Sequence, residues 1–324
     1  MSSRFAGRRI LGALATIVAI VVLNFLLFRL MPGSPERILL RNPHLTQETV
    51  DAARERWGLD KPLIPDQLVA YLFATARGDL GYSFQYRGQP VSEVIADRFW
   101  PTVLLIGSAE VIAIFLGLLL GAYAGWRRGS AVDRLGNGLG LIFYSMPYFV
   151  IGLPLIIIFA ANLGWFPTSG MLTPGATYDS FLDQVADFAS HLVLPMTTIA
   201  LGLIGGYSIL MRSSVIDTRA EDYVTTARAK GMSSAYVLRH HAFPNALLPT
   251  VTIIAINLGY VVAGALTAEI IFNWPGLGTL TYSALTARDY PVLQGTFLIL
   301  SITVVLANLG ADFIYGALDP RVRS

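Results

Sequence analysis

No cysteine occurs among the 324 residues, so disulfides, thiolate chemistry and cysteine-based metal sites are excluded. Lysine is nearly absent as well. Lys61 and Lys230 are the only two, and neither lies in a phosphate loop of the GxxxxGK(S/T) kind. If this protein uses ATP, another chain must bind it. Charge of either sign is scarce. Charged residues make up 14% of the chain, about half the share of a soluble domain, while hydrophobic residues make up 54%. That balance is the balance of an integral membrane protein. With a net charge of +2 there is no nucleic-acid footprint. His240 and His241 are adjacent and so do not share a helix face, and no HExxH occurs; they read as helix surface, not as a metal site.

What is present is apolar and helical in period. Ile10–Phe28 is an uncharged run of nineteen residues behind Arg4, Arg8 and Arg9. At about 1.5 Å per residue it spans roughly 28 Å, close to a bilayer core. The run is long for a signal peptide and is followed by no small-residue cleavage site, so a retained first helix is expected. Five further spans are expected over Thr102–Tyr123, Leu139–Leu163, Leu192–Met211, Ala246–Ile271 and Val292–Ala311. The fold class is therefore all-α and polytopic, with six transmembrane helices. The segments divide as 1–31 (N-terminal segment and first span), 32–100 (a long external helical loop) and 101–324 (a five-helix core with a polar loop at 212–245). Within the external loop, Thr46 caps a helix to Trp57 that Gly58 stops, a second helix runs from Pro65 to Ala76, and Gly78–Phe84 is turn and extended chain.

Short-loop charge sets the orientation. Trp126–Asn137 carries Arg127, Arg128 and Arg134, and the C-terminus carries Arg321 and Arg323. Gly164–His191 has Asp179, Asp183 and Asp187 and no lysine or arginine. The positive-inside rule then places both termini in the cytoplasm. The segment 33–100 holds eight Arg or Lys on the outer side, but long loops translocate largely regardless of charge.

Arg219–Pro249 is the longest polar interruption in the second half of the chain. Glu221 and Asp222 open it, good helix formers follow from Tyr223 to Lys230, and Gly231 stops the helix. Ser233 or Ser234 caps a second helix to about His241, and Pro244 and Pro249 return the chain to an apolar span. A surface helical hairpin without a partner is the plain alternative. This stretch resembles the cytoplasmic loop of the permease subunits of bacterial ATP-binding-cassette importers. That loop has a Glu-Ala-Ala triplet, a glycine four positions on and a Leu-Pro thirteen residues past the glycine. Gly231 fits, Phe243-Pro244 stands at the Leu-Pro position and Ala227 matches the end of the triplet. Thr225 and Thr226 replace its Glu and first Ala, and Asp222 or Glu221 is left to supply the charge. DYVTTARAKG is closest to the dipeptide and oligopeptide branch. GDLG at Gly78–Gly81, HLVLP at His191–Pro195, EIIFNWPGLG at Glu269–Gly278 and DFIYGALDPRVR at Asp312–Arg323 extend the resemblance.

The resemblance implies a permease subunit without catalysis or cofactor of its own. It forms half of a translocation path for peptides or a similar small solute. The implied partners are a second homologous permease, two ATPase subunits that hold ATP and Mg, and an external substrate-binding protein, all at the bacterial inner membrane. The implied coupling residues are Glu221, Asp222, Tyr223, Thr225, Thr226, Ala227, Lys230, Gly231, Phe243 and Pro244. For the path or gate the residues singled out are Glu110, Pro147, Asn257, Glu269, Trp274, Pro275 and Gly276. Glu110 and Glu269 are acids at membrane depth, where a carboxylate needs a partner. For Glu110 a buried hydrogen bond to a neighbouring helix is expected ahead of a substrate contact. For Glu269 a gate or packing role competes with a snorkelling interfacial residue. Pro147 and Pro154 are expected to kink the third span from inside it. Pro275–Gly278 is expected to break the helix and fold the chain back, with Trp274 alternatively an interfacial anchor. Gly202, Gly205 and Gly206 allow close helix approach or leave room for a permeant molecule. A stand-alone secondary transporter or channel is the rival reading, marked by inverted repeats and midplane charges. Intramembrane proteolysis is weaker, since Gly310-Ala311-Asp312 has no partner aspartate in another span.

Overall fold

The computed structural model describes residues 3–30, 62–86, 88–247 and 266–318, together with 51, 250, 251 and 254. All the named elements among these are helical, and the one isolated bridge joins Tyr82 to Pro90. In chain order they are α1 (Ser3–Leu30), α2 (Leu68–Ala76, entered by a wide turn at Leu63–Gln67) and α3 (Val91–Trp126). Then come α4 (Ala131–Ser145), α5 (Tyr148–Leu155, continued in a wide turn to Asn162) and α6 (Phe181–Arg219). Two short helices follow, α7 (Asp222–Ala229) and α8 (Ser234–Val237, with a wide turn to Ala242). The last three are α9 (Leu266–Ile271), α10 (Leu277–Ala287) and α11 (Tyr290–Leu318).

Among the described residues four helices are long and apolar enough to cross a membrane: Ala6–Leu30, Val91–Trp126, Phe181–Arg219 and Tyr290–Phe313. A fifth crossing is made if the bent pair α4–α5 is one span. The fifth expected span, Ala246–Ile271, lies largely outside the described residues, as does the helix expected over Thr46–Trp57. The expected spans cover only the apolar middles of longer helices. Thr102–Tyr123 is part of the 36 residues of α3, and Leu192, the expected start of the fourth span, lies eleven residues inside α6. Hydropathy could not see these extensions because the added turns are polar. Ser180 caps α6 by accepting from the Asp183 N–H at 3.2 Å, a side-chain bond of the kind that starts helices.

The third span differs from expectation more deeply. Pro147 is not inside a helix. It stands at the N-terminal boundary of α5, and α4 and α5 meet at 103°. The residue before a proline avoids the α region, and Met146 is extended (φ −82°, ψ 133°), so the chain breaks where a kink was expected. Pro154 does lie within α5.

The core is built on α3 and α6, which pack along much of their length. Gly117, Gly121 and Gly125 of α3 make the seam, where backbone meets backbone; a Cβ on Gly121 would lie 2.9 Å from the Met211 Cβ. On the other side of α6, Gly205 meets Gly140 of α4, and the ring of Tyr148 fills the space over Gly202, so these glycines serve close packing. Asp133 fixes α4 to α6. It accepts from Arg212 Nε at 2.5 Å and Nη2 at 3.1 Å, and from the Gly129 N–H at 2.8 Å.

The two ends of α3 sit in different apolar clusters. Val91, Val94 and Ile95 pack with Phe28, Leu277, Leu280, Val292 and Leu293. Ala122 and Trp126 pack with Met211, Val215, Val224, Ala227 and Val237. At the first end, buried Asp289 gathers the chain after α2. It accepts from Ser83 Oγ at 2.5 Å and from the N–H groups of Phe84 and Gln85 at 3.0 and 2.9 Å. The loop between α5 and α6 is pinned by Asp187, which accepts from Thr173 N–H at 2.8 Å, Thr173 Oγ1 at 2.6 Å and Tyr178 OH at 2.6 Å. The hydrogen bond to the Asp187 carboxylate pushes the Tyr178 phenol up from its ordinary value.

Candidate functional site

The polar stretch after α6 folds as a two-helix projection. α6 ends at Arg219 and Glu221 takes extended backbone (φ −72°, ψ 146°) ahead of α7. The Glu221 side chain makes no capping bond, and Asp222 lies in the first turn, where a carboxylate suits the helix dipole. Gly231 stops the helix at φ +76°, in the left-handed region that disfavours a side chain. Ser233, not Ser234, caps α8, accepting from the Tyr236 N–H at 3.4 Å.

Buried residues of both helices anchor this projection. Val224 and Ala227, three apart on α7, and Val237 of α8 are buried in one cluster with Val215 of α6. Ala227 therefore faces inward, and Phe243 is half-buried against the same cluster. Glu221, Asp222, Tyr223, Thr225, Thr226, Lys230, Gly231 and Pro244 are exposed. Partial burial, with Glu221 nearby, pushes the Tyr223 phenol up. Thr226 Oγ1 donates back to the Asp222 carbonyl at 2.9 Å. Tyr236 stacks on His240 with ring centroids 4.2 Å apart.

The two acids expected at membrane depth, Glu110 and Glu269, are both buried and both bonded to neighbouring elements. Glu110 of α3 accepts from the Tyr207 hydroxyl of α6, as expected of a packing bond. Glu269 is fully buried, which removes the snorkelling alternative. Its Oε1 accepts from Thr102 Oγ1 at 2.6 Å. Its Oε2 accepts from the N–H groups of Gly278 and Thr279 at 2.7 and 3.2 Å. These are donors at the first turn of α10, which have no partner within the helix. Trp274 is likewise fully buried, not interfacial, and its Nε1 donates to the Pro101 carbonyl at 2.9 Å. Pro275 and Gly276 make the expected break, and α10 starts at Leu277. Asn257 lies outside the described residues. Glu269, Trp274 and Gly276 thus form one node with Thr102, Glu110 sits on a different part of α3, and Pro147 stands at the α4–α5 break.

Sequence reasoning missed Thr102, Asp289 and Trp126. Thr102 accepts from the Leu277 N–H at 2.7 Å while donating to Glu269. A threonine inside an apolar run gives no signal of this, since its partners are about 170 residues away.

Residues 117–324 match the family described as binding-protein-dependent transport system inner membrane component. Residues 2–106 match the N-terminal part described for the same membrane components. The chain belongs to this family. It is 38% identical over 321 residues to a protein of Brucella suis biovar 1 provisionally named a peptide permease, covering 99% of each chain. It is 37% identical over 316 residues to the glutathione transport system permease protein GsiC of Salmonella typhimurium, covering 98% of this chain and 97% of that one. In fold it is similar to a chain of the MetNI methionine ABC transporter, solved in inward-facing conformations. The TM-score is 0.56 at 17% identity, over 70% of this chain and 96% of that one. The protein is a multi-pass permease subunit of an ATP-binding-cassette importer and not a stand-alone transporter. Such a subunit works with an ATPase and a substrate-binding protein and is not itself the ATPase.

Proposed function

We propose that this chain is one of two homologous permeases around a single translocation path, driven by two ATPase subunits that bind ATP and Mg. Its cargo is a peptide or a similar small solute delivered from outside by the binding protein. The names of two relatives, for a peptide permease and for glutathione transport, support that class, glutathione being itself a tripeptide. Both termini face the cytoplasm, as the arginines of 126–137 and the acidic 164–191 loop favour. The segments 1–31, 32–100 and 101–324 act as first span, external loop and permease core.

The observation that carries this reading is the two-helix projection at 219–245. It is rooted by Val224, Ala227 and Val237 in the end of the α3–α6 pair and shows an exposed polar face. α7 docks on the ATPase and Gly231 sets the angle of the helix that follows. Gly231 has open space around it, so a substitution there acts through backbone alone. Gly231→Val strains or redirects the turn at a cost of about 1–3 kcal/mol. The expected result is normal membrane insertion with ATPase co-purification or uptake lost. Thr225→Ala, on the exposed face beside it, is expected to be mild. Membrane level, ATPase co-purification and solute uptake are compared for the two variants. Normal binding and uptake in Gly231→Val would remove the projection from this role.

A further inference from the structure

We propose that Trp126 is the joint through which the projection moves α3, a positioning residue for energy coupling. The inference rests on the reading that residues 219–245 contact the ATPase.

Trp126 is the last residue of α3, and three other helices converge on it. Its indole Nε1 donates to Ser234 Oγ, the first residue of α8, at 2.8 Å. Its backbone carbonyl accepts from Nη1 of Arg219, the last residue of α6, at 3.0 Å. The guanidinium of Arg228, in the last turn of α7, lies 4.6 Å from the ring centroid, and that of Arg219 lies 5.8 Å from it. Trp126 is 8% exposed and packs with Val215, Val224, Ala227 and Val237.

The chemistry needs this residue type. Tryptophan presents the best aromatic face to a guanidinium and also carries an edge N–H donor. Phenylalanine would keep the ring and lose the donor. The Trp126 carbonyl is one of the last four of its helix and has no partner within it, so Arg219 also satisfies the helix end. Each arm of the projection is thus tied to a single side chain or its own backbone.

α3 carries any displacement onward. Pro101 lies 25 residues before Trp126 on the same helix, about 37 Å away at 1.5 Å per residue. There the Pro101 carbonyl accepts from Trp274, and Thr102 meets Glu269 and the first turn of α10. One helix joins the projection to the Glu269–Trp274 node at the other end.

The test uses the assembled importer with Trp100→Cys as the only cysteine of this chain. Trp100 is 65% exposed and stands beside Pro101. Its maleimide labelling rate is timed without nucleotide and with ATP, Mg and vanadate. The joint predicts a roughly fivefold change in rate on nucleotide binding, the low end of ordinary coupling between two sites. Trp126→Phe and Ser234→Ala each reduce that change to less than about twofold, the scale expected for losing one hydrogen bond. ATPase co-purification stays at the level of the unsubstituted chain. The two substitutions remove the same bond, so the double variant is no worse than the more affected single one. Ser234→Ala reads the bond even if Trp126→Phe is poorly inserted. A labelling rate indifferent to nucleotide, an unchanged response in Ser234→Ala, or loss of ATPase co-purification in either variant overturns the joint. If the unsubstituted chain itself binds no ATPase, the coupling role of 219–245 falls first and the joint with it.

Discussion

Gly121→Leu is expected to separate α3 from α6, with little folded protein recovered in the membrane. At this position the helices approach through backbone. An added Cβ would stand 2.9 Å from the Met211 Cβ and closer still to the Ser208 carbonyl. Neither can yield cheaply, because one is the root of a buried side chain and the other is the helix itself. Overpacking a tight core costs about 1–3 kcal/mol, and a leucine here adds three carbons beyond the clash. The control is Gly107→Leu on the same helix, where nothing lies within 4 Å of an added Cβ. Glycine inside a helix is about 1 kcal/mol less favourable than alanine, so this control should be neutral or slightly stabilising. Thermal unfolding of both variants in detergent decides the matter. Equal midpoints would mean that α3 and α6 are not joined by this seam.

Glu269→Ala is expected to release α10 from α3. The carboxylate holds three donors, Thr102 Oγ1 and the N–H groups of Gly278 and Thr279. Removing it leaves two half-buried backbone donors at a helix start without their carboxylate, at up to about 1–3 kcal/mol each. Glu269→Gln should be milder, since the amide keeps one acceptor oxygen but turns an NH2 group towards other donors. Protease sensitivity of the 272–289 segment and the unfolding midpoint should both follow the order wild type, Gln, Ala. An alanine variant as stable and as protease-resistant as wild type would leave Glu269 without the anchoring role.

The parts of this architecture that obey local rules were legible in the sequence. Gly231 stops a helix, one of the two serines after it starts the next, and Pro275–Gly278 breaks one, because each acts on backbone within a few residues. Hydropathy found the apolar middles of α1, α3, α6 and α11, but not their polar ends. Pro147 was visible as a disruption, yet whether it kinks or divides the span depends on what packs beside it. Tyr148 leaning on Gly202 is a contact no local pattern announces. The same holds for the polar nodes. Asp133 meets Arg212 across 79 residues, Trp126 meets Ser234 across 108, and Asp289 meets Ser83 across 206. Each looks like an ordinary loop or helix-end residue until the helices are brought together. Ala227 was read with the coupling face because it matched a motif position. Its place in the core follows instead from its three-residue spacing to Val224.

The central claim is that the exposed face of 219–245 meets the ATPase on the cytoplasmic side. The chain contains no cysteine, so a single introduced thiol reports one position. Thr226→Cys lies on the exposed face of α7, and Thr177→Cys lies in the acidic loop between α5 and α6. Each is treated in membranes with a short thiol-directed photocrosslinker, and in intact cells with an impermeant maleimide. The account predicts that Thr226→Cys crosslinks to the ATPase and is protected from the maleimide outside, while Thr177→Cys is labelled from outside and yields no ATPase adduct. An ATPase adduct from Thr177→Cys, or labelling of Thr226→Cys from outside, would contradict it.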